Sequence, residues 1–303
     1  MVFAGEPAKD DGNCMPTEPA QLVLALFELC LLLAGTGLVL WLAFNSPART
    51  RWLGTNALPA KSITPPDFVL AAALVFLTGF AFQAAAQLWL GPLISKSADH
   101  QGIALFAYSV ANYSGALLAW RLMFPPLRRT WTLETDAPRP VAAPSLPWPK
   151  ALWYAAGTML AALPLLIVVS LSWTSLLEKF DLPNTPQDVI AIFTGTHSPF
   201  VIAGMLLVAC VLAPVYEELL FRAGLYRFCR QKLGRGWALM ISGVCFGALH
   251  GNWAGFLPLA MLGMGLALAY EATGSIRVAI IAHGLFNLNT VLILLSGLPQ
   301  TVP

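Results

Sequence analysis

Apolar runs long enough to cross a bilayer, about 20 residues each, recur along the whole chain. That repetition limits the fold more than any other feature. In lipid, backbone amides and carbonyls must be satisfied within each segment, so such runs form helices. Only 11% of the residues are charged, against roughly a quarter in soluble domains. The sequence therefore predicts an all-α, polytopic transmembrane helical bundle of about eight helices. The expected spans are Ala20–Phe44, Phe68–Leu90, Ile103–Phe124, Ala151–Trp173, Phe200–Tyr226, Trp237–Gly251, Trp253–Tyr270 and Ile276–Leu295.

The segments between spans set the organisation. Residues 1–19 read as an extracytoplasmic tail. Glu6, Asp10, Asp11 and Glu18 precede the first apolar run, where a secretory signal would be basic. Residues 20–175 hold the first four spans, with a Pro-rich linker at 125–150 that should be extended and cytoplasmic. Residues 195–297 form a second unit of four spans. With the N-terminus outside, the inner loops receive nearly all the Lys and Arg, including Arg128, Arg129, Arg139, Lys150, Arg230, Arg235 and Arg277. The outer side receives Lys9, Lys96 and Lys179. This is the positive-inside pattern of a multi-pass cell-membrane protein. Cys14, Cys30, Cys210, Cys229 and Cys245 form no C-x-x-C pair and read as packing residues. Nothing points to nucleic acid.

Ionisable groups inside a bilayer are costly, so they are functional candidates by default. Here they gather in the last four spans: Glu217, Glu218, Arg222, His250 and His283, with Asn287 beside them. Glu28 in the first span stands apart and reads as a helix-packing hydrogen bond. Glu218 and Arg222 are i and i+4 in the order that favours an ion pair. Glu217 is turned about 100° away on the same helix and is left free for chemistry. Phe246 and His250 share a helix face, as do His283 and Asn287. Measured from the inner face, Glu217, His250, His283 and Asn287 lie at roughly 14, 20, 9 and 15 Å, overlapping depths on three helices. A carboxylate and an imidazole can deprotonate water. A second imidazole and a carboxamide can stabilise an oxyanion. No G-x-S-x-G nucleophile elbow is present.

These residues form three motifs: Glu217-Glu218-Leu-Leu-Phe221-Arg222, Phe246-x-x-x-His250 and His283-x-x-x-Asn287. Together they resemble the CPBP family, which includes the type II CAAX prenyl endopeptidases and bacteriocin-immunity-type membrane proteins. Ala223 stands where that family commonly has Gly. The resemblance covers about residues 195–297 and implies an intramembrane endopeptidase. Its substrate would be a membrane-associated peptide or lipidated protein, such as one of the prenylated CAAX type. It also implies that Glu217 and His250 activate water, that His283 and Asn287 stabilise the oxyanion, and that Glu218, Arg222 and Phe246 support them. Glu217, His250 and His283 could alternatively make a His/His/Glu zinc set. The absence of H-E-x-x-H and the poor ligand quality of Asn287 favour a mechanism without a cofactor. Two other readings use the same residues: a non-proteolytic immunity or scaffold protein of the same fold, and a proton-coupled transporter. A polar set confined to one half, with no internal repeat, argues against the transporter.

Overall fold

The computed structural model describes residues 18–53, 58, 64–95, 97–131, 146–184, 195–196 and 198–296. The expected N-terminal tail, Lys9, Cys14 and Lys96, and most of the Pro-rich linker lie outside the described residues. Every regular element among those described is helical, as the apolar runs require. In chain order they are α1 (Glu18–Phe44), the short α2 (Ser46–Leu53), α3 (Pro65–Leu90) and α4 (Ala98–Trp131), with a 3-10 turn at Gly91–Leu93 before α4. Then come α5 (Trp148–Lys179), α6 (Pro199–Leu207), α7 (Ala213–Glu218), α8 (Arg227–Leu249), α9 (Trp253–Thr273) and α10 (Ile276–Ser296).

Among the described residues, seven helical stretches are long and apolar enough to cross a membrane, and the fifth covers Pro199–Leu249. The sequence divides that stretch into two spans, and the backbone shows where. Gly234 adopts φ 80° and ψ 177° inside α8, a conformation open to glycine and strained for other residues. The chain reverses there, and about eight long helical segments result. Two boundaries move outward. α4 continues past Phe124 to Trp131, because Pro125 and Pro126 do not end it. α5 runs on past Trp173 to Lys179. The α2 turn was not expected.

The most buried helices are the last ones, and they carry the polar residues. Glycines let α8 and α9 approach closely. A Cβ on Gly247 would sit 2.4 Å from the Phe256 carbonyl oxygen, so only hydrogen fits between the two backbones. Gly243 and Gly247 make the small-x-x-x-small spacing that favours close helix pairing in lipid. α1 joins the periphery through two polar contacts with α10. Asn289 donates to Glu28 at 3.1 Å, and Gln21 donates to the Ser296 carbonyl at 2.9 Å. Glu28 is thus the packing hydrogen bond expected of it. Cys30, Cys210, Cys229 and Cys245 are free thiols.

Candidate active site

The Glu-Glu pair stands on α7, a helical piece of little more than a turn. It is flanked by two π-helical segments, Val208–Leu212 and Leu219–Tyr226. π-Turns are rare and tend to mark functional sites, because the shifted ladder leaves carbonyls short of an amide partner. Side chains from neighbouring helices reach both segments. The Asn287 amide donates to the Ala209 carbonyl at 2.7 Å. The Ser242 hydroxyl donates to the Phe221 carbonyl at 3.4 Å.

Glu218 and Arg222 are fully buried, 3.0 Å apart. The Arg222 Nε–H is not aligned on the Glu218 oxygen, so the contact is an ion pair and not a formed hydrogen bond. A buried pair needs further partners to offset desolvation. Arg222 finds them on two sides. Its Nη2 donates to the Gly263 carbonyl at 3.0 Å. Its guanidinium carbon lies 4.5 Å from the centre of the Phe246 ring, a cation–π contact that is strong when desolvated. Phe246 is itself fully buried, and both histidines meet it. The ring centres of His250 and His283 lie 5.0 and 5.6 Å from that of Phe246, edge-on.

His283 joins the two carboxylates. Its Nδ1 lies 2.9 Å from Glu218 Oε1, and its Nε2 lies 3.8 Å from Glu217 Oε2. Glu217 keeps 15% of its side chain exposed, yet its Oε2 is buried with no hydrogen-bond partner among the described residues. The separation from His283 Nε2 is too long for a direct bond. His250 points Nδ1 at the carbonyl of Phe246, 2.8 Å away, which leaves Nε2 as its outward nitrogen.

The structure thus brings Glu217, Glu218, Arg222, Phe246 and His283 into one connected cluster, with His250 on its edge. Two details differ from the sequence reading. His283 is the imidazole in contact with the carboxylates. Asn287 already spends one amide hydrogen on the π-turn at Ala209, so at most one remains for an oxyanion. Antiparallel packing explains both, because His283 is level with α7 while Asn287 falls one turn further along. Among the described residues, no three His, Cys, Asp or Glu side chains are arranged to hold a metal ion. Glu217, His250 and His283, the alternative zinc set, are not gathered into such a group.

One buried carboxylate went unread in the sequence. Glu271 accepts a hydrogen bond from the Tyr226 hydroxyl, and Arg230 and Arg235 approach it at 3.2 and 3.5 Å. The expected span ended at Tyr270, which placed Glu271 in a loop. The left-handed cap at Gly274 signals a helix that continues past it.

Residues 199–289, which carry all three motifs, match the family model described as type II CAAX prenyl endopeptidase Rce1-like. The resemblance read from the motifs is borne out over that segment. A Bacillus subtilis protein named "Putative membrane peptidase YdiL" is 31% identical over 83 residues, which is 27% of this chain and 34% of that protein. The match thus spans about a third of the relative's length. No solved structure matches the chain.

Proposed function

We propose that this chain is an intramembrane endopeptidase that hydrolyses a peptide bond of a membrane-associated substrate with water activated at Glu217. The observation that carries this reading is the unpartnered Glu217 Oε2 facing His283 Nε2 at 3.8 Å, beside a carboxylate already neutralised by Arg222. One glutamate is held as structure, and the other keeps an unpartnered oxygen on a partly exposed side chain. The segmental likeness to the CAAX prenyl endopeptidase model supports the same chemistry. It makes a lipidated C-terminal peptide the first substrate to try.

In the proposed cycle, Glu217 takes a proton from the water, and the nascent hydroxide attacks the carbonyl carbon. The carbonyl oxygen becomes an oxyanion that needs donors at close range. The outward nitrogen of His250 and the second amide hydrogen of Asn287 are the groups proposed to supply them. Glu217 then passes its proton to the leaving amine as the C–N bond breaks. His283 positions this base. The residues present do not fit a metal, and no step is routed through one.

The test is hydrolysis by purified full-length protein of two probes, a farnesylated peptide ending in a CAAX sequence and its unlipidated counterpart. Cleavage of either, lost in Glu217→Gln, supports the reading. A folded wild-type protein that cleaves neither, nor any co-expressed membrane peptide, favours a non-proteolytic immunity or scaffold role.

A further inference from the structure

The segment that matches the family model begins at residue 199, so it assigns nothing to the first helices. Yet α4 reaches the site. Tyr113 on α4 and Tyr216 on α7 pack ring to ring, centres 5.1 Å apart. Glu217 follows Tyr216 directly on α7, and its charge reaches both phenols. Two helices thus bring the three polar groups near one another.

Glu217 Oε2 is buried and makes no hydrogen bond among the described residues, whereas the Tyr113 and Tyr216 hydroxyls are not among the buried unpartnered atoms. Buried polar groups are almost always paired, and each exception calls for an explanation. In a bilayer the cost of leaving them unpaired is higher, because lipid offers no donors or acceptors. One such oxygen beside two phenols describes a site shaped for a polar ligand. Tyr113 is half-buried where Tyr216 is buried, so the Tyr113 side is the more open one. On α4 the preceding Asn112 donates to Gln83 of α3 at 3.0 Å. That bond holds the turn carrying Tyr113 in register.

Resting on the hydrolase reading above, we propose that the Tyr113 hydroxyl is a substrate-binding group of the Glu217 site, hydrogen-bonding the backbone of the peptide presented for cleavage. The peptide lies between α4 and α7, with Glu217 and its water on one side and Tyr113 on the other. α4 is then a wall of the active site and not merely a neighbour of it. A purely structural Tyr113 would need only its ring, which packs on Tyr216.

Tyr113→Phe separates the two roles, since it keeps the ring and removes only the hydroxyl. The full-length variant should keep the thermal midpoint of the wild type in detergent. Its kcat/KM on whichever CAAX probe the wild type cleaves should fall about 10-fold or more, mainly through KM, the loss expected when a buried partner is left unpaired. Wild-type kcat/KM in Tyr113→Phe overturns the proposal while leaving the hydrolase reading intact. A wild type that cleaves no probe removes that reading and the proposal with it. A second measurement needs no turnover. In the Glu217→Gln background, a benzophenone amino acid in place of Tyr113 should photo-crosslink the farnesylated probe. Crosslinking from position 250 but not from 113 also overturns the proposal.

Discussion

Glu217 and Glu218 are adjacent in sequence and opposite in what their environments demand. Glu218 is fully buried against Arg222 and His283. Removing its charge leaves a guanidinium in a low-dielectric setting without its counter-charge, a loss of about 3–5 kcal/mol. Glu218→Gln should therefore lower the thermal midpoint sharply in detergent. Glu217→Gln should leave the midpoint near that of the wild type and abolish hydrolysis, because the Oε2 it alters supports no other group. A stable, inactive Glu218→Gln beside an active Glu217→Gln would reverse the assignment. The same residues bear on metal. With no cage around Glu217, His250 and His283, chelator-stripped enzyme should keep its turnover. Activity that tracks one bound zinc per chain would overturn this, since zinc then supplies the acidity of the water. The Glu218–Arg222 pair was legible in the sequence because i, i+4 spacing is a local rule. The partnership of His283 with both carboxylates was not, because it depends on how α10 slides against α7.

Glycine positions and π-turns set the helix scale, and both were hidden from hydrophobic periodicity. A π-turn inserts backbone without changing composition, so the apolar run across residues 200–226 read as one regular helix. The break at Gly234 was legible only as a basic interval between two apolar runs. At α8–α9 the prediction is direct. Gly247→Ala places a methyl 2.4 Å from the Phe256 carbonyl, which forces the helices apart and displaces Phe246 and His250. Overpacking of this kind costs about 1–3 kcal/mol, and activity should fall further than stability. Gly265→Ala is the control on α9. Its new methyl meets nothing within 4 Å, and alanine is the better helix former, so its thermal midpoint should match or exceed that of the wild type. Equal melting curves for the two variants would mean that the close approach is not needed. Asn287→Ala removes the donor to Ala209. It should lower stability by about 1 kcal/mol as well as slow turnover, a joint effect that a pure oxyanion donor would not give.

Across the whole molecule, long-range contacts fix which helix ends share a membrane face. Arg277 at the start of α10 lies 4.7 Å from the ring of Trp148 at the start of α5. Arg230 and Arg235, on either side of the Gly234 break, meet Glu271 at the end of α9. These ends therefore lie together, and they gather Lys150, Arg227, Arg230, Lys232, Arg235 and Arg277. At the other face, Trp173 of α5 donates to the Trp253 carbonyl at the start of α9, 2.7 Å away. Asp99 at the start of α4 accepts from Thr196, just ahead of α6. That second face carries Lys179 and few other cations among the described residues. The charge asymmetry read loop by loop from the sequence thus recurs between packed helix ends, which sequence spacing could not show. By the positive-inside rule, we propose that the basic face is cytoplasmic and the N-terminus outside. The measurement is labelling of single cysteines, with the five native cysteines first replaced. A cysteine in place of Arg139 should resist a membrane-impermeant maleimide in intact cells and react after lysis. A cysteine in place of Lys179 should react in intact cells. Reaction at 139 from outside would invert the topology. It would also turn the cluster of Arg230, Arg235 and Glu271 away from the cytoplasm, and with it the face from which a cytoplasmic peptide could enter.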